Sequence, residues 1–131
     1  MSEGHNTKIM LVDDDTFLLD MYSLKFKNKG FEVNGFLRPE EALESLKNGL
    51  NPEIIILDVI MPKIDGISVL KEIRDNKYCP DSTIIMLSNQ SQPEDIEKAE
   101  SLGIYGYIVK ALTIPSEVVD QVMNIYKKKK K

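Results

Sequence analysis

Five short apolar runs, each separated from the next by a stretch of helical periodicity, constrain this chain more than any other feature. Lys8-Ile-Met-Leu-Val12, Ile54-Ile-Ile-Leu57, Ile84-Ile-Met-Leu87 and Ile104-Tyr-Gly-Tyr-Ile-Val109 carry apolar residues at successive positions. Such runs are too short for buried helices and suit strands covered on both faces, as in a parallel sheet. Phe31-Glu-Val-Asn-Gly-Phe36 alternates imperfectly and reads as a less buried strand. The intervening stretches repeat with a period near 3.6. Phe17, Met21 and Leu24 form one stripe at i, i+4, i+7. Gly66, Val69, Leu70 and Ile73 form another, with Lys71, Glu72 and Arg74 opposite. Strict alternation of strand and helix builds right-handed βαβ units, so the expected fold is α/β, with five helices on the two faces of a five-stranded parallel sheet.

The boundaries carry their own chemistry. Pro39-Glu-Glu41 reads as a helical first turn leading into Ala42, Leu43 and Leu46. Asp15 serves as a cap for the first helix, and Asp65-Gly66 as the turn that starts the third. Ser91-Gln-Pro93-Glu94 reads as a capping box, and Gly103 as the end of the helix it opens. Pro115 starts a last helix with Val118, Val119, Val122 and Ile125 as its apolar stripe. The expected organisation is one domain over residues 1–131, with a core of about 7–127 and loose ends at 1–6 and 128–131.

Composition narrows the function classes. Without Lys127 to Lys131, 12 basic residues face 21 acidic ones, a net charge of −9, which argues against a nucleic-acid-binding body. The lysine run itself has two readings: a contact for anionic lipid or nucleic acid, or a solvated end extending the last helix. The single cysteine, Cys79, excludes an internal disulfide framework and a Cys-rich metal site. No signal peptide and no apolar run of spanning length occurs, so a cytoplasmic protein without a transmembrane segment is expected.

Four of the five strands stop at a chemically useful residue: Asp13-Asp14-Asp15, Asp58, Ser88 and Lys110. In an open parallel sheet the C-terminal strand ends share one edge, where ligands bind. Clustered carboxylates repel unless a cation neutralises them, and hard oxygen donors without His or Cys suit Mg²⁺. An ammonium and a hydroxyl nearby suit phosphoryl oxygens, so the set points to phosphoryl transfer with a carboxylate as acceptor. Asp58 alone could equally be a turn or cap residue; its company favours the functional reading.

On Ile9-Met-Leu-Val-Asp-Asp14, Ile56-Leu-Asp58-Val-Ile-Met-Pro62, Asp65-Gly66, Ile85-Met-Leu-Ser88 and Gly106-Tyr-Ile-Val-Lys110, the sequence resembles the receiver domain of two-component response regulators. The resemblance implies a flavodoxin-like, doubly wound sheet of order 2-1-3-4-5. It implies that Asp58 accepts a phosphoryl group from a sensor histidine kinase or phosphotransfer protein. Mg²⁺ would be held by Asp13, Asp14, Asp58 and the backbone carbonyl of Ile60. Ser88 and Lys110 would bind the phosphoryl group. Tyr107 would act as an aromatic switch coupled to Ser88, with a half-buried strand aromatic as the plainer alternative. The signal would appear on the surface of helix four, strand five and helix five, for a downstream protein partner or a phosphorylation-dependent homodimer. Such a chain would be a signalling domain with only limited self-phosphorylation and self-dephosphorylation. The pattern fills the chain, so a stand-alone module without a DNA-binding domain is expected.

Two positions depart from the family. Ala111 follows Lys110 where proline is usual; a cis bond before a non-proline residue costs about 3–4 kcal/mol, so trans is expected. Asn89 follows Ser88 where a smaller residue is usual; with Ile60 it is expected to limit water access to the phosphoryl site. Two other functions compete: an aspartyl-nucleophile phosphatase of haloacid dehalogenase type, suggested by Asp13-Asp14-Asp15-Thr16, and a pseudo-receiver that only binds a partner.

Overall fold

The computed structural model describes residues 7–59, 61, 64–89, 92–110 and 113–130. The elements run β1 (Lys8–Val12), α1 (Thr16–Asn28), β2 (Glu32–Phe36), α2 (Pro39–Lys47), β3 (Ile54–Leu57), α3 (Gly66–Asp75), β4 (Thr83–Ser88), α4 (Pro93–Ser101), β5 (Gly106–Val109) and α5 (Pro115–Lys130). The five strands form one sheet of order β2-β1-β3-β4-β5, with every pair parallel.

The apolar runs work as double-faced strands. Met10, Val12, Ile55, Leu57, Ile84 and Met86 point to the side covered by α2, α3 and α4, where they meet Ala42, Leu46, Val69, Leu70, Ile73 and Ala99. Ile9, Leu11, Ile54, Ile56, Ile85 and Leu87 point to the side covered by α1 and α5, where they meet Leu19, Tyr22, Phe26, Val118 and Val122. Period-two alternation with apolar residues at every position is what a sheet between two helical layers requires. β2, an edge strand, is only half-buried, as its broken alternation suggested.

Register sets up the functional edge. Val12 pairs with Leu57, so Asp13 and Asp58 leave adjacent strands side by side. Ser88 pairs with Val109, which sets Lys110 one step beyond it.

Three local expectations change. On α1, the stripe Phe17–Met21–Leu24 is not the core face. Phe17 is 70% and Leu24 59% exposed, while Leu19, Tyr22 and Phe26 are buried. The two stripes have the same period, but Phe17 and Leu24 share their side with Asp20, Lys27 and Asn28. Burying that side would desolvate the charges. The N-cap of α4 is Gln92, with no side-chain capping bond; Ser91, the expected cap, lies outside the described residues. Finally, α5 continues through Lys130, so residues 128–130 extend a helix instead of forming part of a loose end. Lys129 donates to the Asp81 carbonyl and sits 5.0 Å from the Tyr105 ring centre, while Tyr126 donates to Glu53 at 2.7 Å. These contacts tie the basic end back to the sheet edge opposite the carboxylates, which favours the helix-extending reading of the lysines.

Asp15 accepts from the Leu18 backbone N–H at 3.1 Å and caps α1; Asp65 accepts from that of Ser68 at 2.8 Å and caps α3. Gly103, at φ +85°, ends α4 in the left-handed conformation that glycine adopts without steric cost. Among the described residues, no helix is long and apolar enough to cross a membrane.

Candidate functional site

A cleft of about 270 Å³ opens at the C-terminal strand edge, lined by Asp13, Asp14, Asp15, Leu18, Asp58, Ser88, Asn89 and Lys110. Four of the five strands, β1, β3, β4 and β5, and the loops that follow them supply the polar groups. Asp13 and Asp58 are nearly closed off, at 4% and 6% exposure, and Ser88 is fully buried. Asp14 and Asn89 are exposed at the mouth. The backbone fixes the two buried acids from behind: the Asp13 N–H donates to the Phe36 carbonyl at 3.1 Å, and the Asp58 N–H to the Val12 carbonyl at 3.0 Å.

Lys110 holds the two buried carboxylates together. Its Nζ lies 2.6 Å from Asp13 Oδ2 and 3.1 Å from Asp58 Oδ2. Burial works against the ammonium. The hydrogen bond to Asp13 and the charges of Asp58 and Asp13 outweigh burial, and the Lys110 pKa ends above its ordinary value. Asp13 Oδ1 also accepts from the Asp15 backbone N–H at 2.9 Å. An ion pair this enclosed survives only where the remaining lone pairs and protons are satisfied, as they are here in part by backbone groups.

Asp13, Asp14 and Asp58 each present a carboxylate oxygen, all within 4.8 Å of one another. Three hard oxygen donors at this spacing, with one Lys ammonium for company, fit a small divalent cation such as Mg²⁺. Ile60, expected to add a carbonyl, lies outside the described residues, as does Ala111 and so the bond joining it to Lys110. Whatever form that bond takes, Lys110 reaches both acids.

Tyr107, on β5 opposite Met86, is half-buried against the α2–α3–α4 side of the core. Burial raises the pKa of its phenol, and the charges of Asp95 on α4 and of Asp58 raise it further. Two neighbours of the site escaped the sequence reading. Leu18 lines the cleft from the first turn of α1, and its position three residues after the Asp15 cap could have signalled this. Tyr22 is buried one turn further along α1; burial raises its phenol pKa, the Lys110 charge lowers it, and the carboxylates of Asp13, Asp58 and Asp15 add to the rise. No pattern in the sequence ties it to the strand ends.

The response regulator receiver domain family model matches residues 9–122, so the chain belongs to that family of two-component signalling domains. Response regulator SaeR of Staphylococcus aureus (strain USA300) is 30% identical over 125 residues, which cover 95% of this chain and 53% of that protein. The chain thus spans about half the length of the curated relatives it matches. The structure resembles Vibrio cholerae chemotaxis protein CheY4, with a TM-score of 0.83, 26% identity and coverage of 92% of this chain and 98% of that one. It also resembles the Francisella response regulator 1452 receiver domain, with a TM-score of 0.79, 31% identity and coverage of 94% and 98%. These likenesses agree with the sheet order and alternation described above. They give the haloacid dehalogenase reading no support.

Proposed function

We propose that the chain accepts a phosphoryl group on Asp58 from the phosphohistidine of a sensor kinase or phosphotransfer protein. One observation carries the reading: three carboxylate oxygens converge within 4.8 Å while Lys110 stands 3.1 Å from Asp58. In the transfer, an Asp58 carboxylate oxygen forms the new O–P bond as the N–P bond to imidazole breaks. The imidazole leaves with the electron pair. Asp13, Asp14 and Asp58, with the Ile60 carbonyl, would hold Mg²⁺, which would supply positive charge to offset that of the phosphoryl group. Lys110 pairs with a phosphoryl oxygen, and Ser88 donates its hydroxyl to another. Asn89 at the mouth restricts the approach of water and lengthens the life of the acyl phosphate.

The output follows from Ser88 and Tyr107. As Ser88 turns to the phosphoryl group, Tyr107 moves inward and the α4–β5–α5 surface is remodelled for a protein partner or a second copy. Two features support this route: the phenol of Tyr107 lies within the electrostatic influence of both Asp58 and Asp95, and α4 buries only Ala99.

Acetyl phosphate with and without Mg²⁺ tests the proposal. Covalent labelling should require Mg²⁺, vanish in Asp58→Asn and leave no turnover of phosphate esters. Ester turnover lost in Asp13→Asn but kept in Asp58→Asn would instead establish the phosphatase. A wild-type protein that takes neither label nor Mg²⁺ would be a pseudo-receiver. Asn89→Ala should shorten the phosphorylated lifetime; an unchanged lifetime removes Asn89 from the account.

A further inference from the structure

The turn Asp65-Gly66 opens α3, and the transfer described above gives it no part. Its geometry is nevertheless tied to the acceptor. A Cβ built on Gly66 would lie 2.0 Å from the Asp58 carbonyl oxygen, 2.8 Å from the Asp58 carbonyl carbon and 2.9 Å from Val59 Cα. All three are backbone atoms, so no side-chain rotation can make room. The Gly66 N–H donates to the Val59 carbonyl at 2.7 Å, closing the loop between β3 and α3 directly behind the acceptor. On its other side the Asp58 backbone is bonded to β1 through Val12. The Asp58 main chain is therefore clamped between a strand and the first residue of a helix.

We propose that Gly66 is a positioning residue for phosphoryl acceptance: its bare Cα lets α3 seat against the Asp58 backbone and so fixes the reach of that carboxylate toward Asp13 and Lys110. The inference rests on the reading of Asp58 as acceptor. Its magnitude follows from distances. Real Cβ contacts do not fall below 3.0 Å, so a contact of 2.0 Å forces a movement of at least 1.0 Å. Helix α3 cannot easily supply it, because Ile67, Val69, Leu70 and Ile73 are all buried. The movement falls on Asp58, whose bond to Lys110 is 3.1 Å long, already close to the limit of about 3.2 Å for a good N–H···O bond. Misplacing a reacting group by about 1 Å can cost on the order of a hundredfold in rate.

The test compares wild type, Gly66→Ala and Ile73→Val, the last of which thins the buried face of α3 two turns along from Gly66. Each is assayed as the full chain at a temperature where circular dichroism shows it folded. Two quantities are read: the magnesium chloride midpoint from amide resonance shifts, and the acetyl phosphate labelling rate at saturating Mg²⁺. Gly66→Ala should weaken Mg²⁺ binding and slow labelling by about ten- to a hundredfold. Ile73→Val should leave both within about twofold of wild type. A folded Gly66→Ala with the wild-type midpoint and rate overturns the proposal, as does an Ile73→Val that loses both equally. Should Gly66→Ala not fold, the wild-type Gly66 amide decides: it should shift with the same Mg²⁺ midpoint as the Asp58 amide, and a resonance unmoved by Mg²⁺ overturns the role. Wild-type protein that takes no label at Asp58 defeats the acceptor reading itself. Normal wild-type labelling matched by Gly66→Ala defeats only the role given to Gly66.

Discussion

Helices α3 and α4 lie on the same face of the sheet, follow each other in the chain and are of similar length, yet they are held in different ways. Helix α3 buries Gly66, Ile67, Val69, Leu70 and Ile73, has a side-chain cap in Asp65 and starts against the backbone of Asp58. Helix α4 buries Ala99 alone and has no side-chain cap at Gln92. Its C-terminal end is held from α3: Arg74 donates from Nε to the Leu102 carbonyl and from Nη2 to the Gly103 carbonyl, both at 2.8 Å. One helix is a fixed wall behind Asp58. The other is pinned at one end and lightly packed along its length. The proposed switch, a still chemical site with a changing surface, would call for this division.

The largest expected effect lies where the fixed side meets charge. Lys110→Met leaves Asp13 and Asp58 buried without their cation, and breaking such a pair costs about 3–5 kcal/mol. Urea unfolding in chelated buffer should show that loss, and added Mg²⁺ should restore part of it. A variant as stable as wild type without metal would mean that the ion pair does not hold the cleft together. The pH dependence has a definite sign. The folded-state pKa of Lys110 is raised, so its stabilising share is complete below the unfolded value of about 10.4 and is lost as pH rises past it toward the folded value. In Lys110→Met that part of the alkaline loss should be absent.

Next comes the contrast between the helices. Leu70→Ala should cost about 2–5 kcal/mol, since Leu70 is fully buried. Ile96→Ala, on the half-buried side of α4, should cost about 1 kcal/mol. Equal losses from denaturant melts would erase the distinction between the tightly packed helix and the lightly packed one. Arg74→Ala removes two charge-assisted bonds at a partly exposed site and should cost about 1–2 kcal/mol. In hydrogen exchange it should loosen the α4 amides near Leu102 while leaving the Leu70 amide protected; uniform loosening would show that Arg74 is a general strut and not an α4 tether.

Cys79 offers the smallest effect. Its thiol is buried beside the Leu50 carbonyl, and burial pushes its pKa up, against a lowering by Ser82. A disulfide reagent at pH 8 should therefore react far more slowly than with the unfolded chain. Fast reaction would mean that the turn before β4 opens readily.

Most of this frame is legible in the residues. The central strands β1, β3 and β4 announce themselves because both faces are covered, so nearly every position is apolar. The charged residues at their ends announce the cleft because a parallel register brings those ends to one edge. The phase of α1 is not legible from period alone, because two apolar stripes share it; only the charges of Asp20 and Lys27 separate them. The double pairing of Lys110 with Asp13 and Asp58 depends on the loop after β5. The contact of Gly66 with Asp58 spans eight residues and depends on how close a helix start comes to a strand end. Neither distance has a sequence signature.

The most direct test of the central claim is to phosphorylate the wild-type chain with acetyl phosphate and Mg²⁺, trap the acyl phosphate by borohydride reduction and locate the modified residue by peptide mass mapping. The account predicts a single modified position, Asp58, and none when Mg²⁺ is chelated. Modification at Asp13, Asp14 or any other residue, or labelling that ignores Mg²⁺, would contradict it.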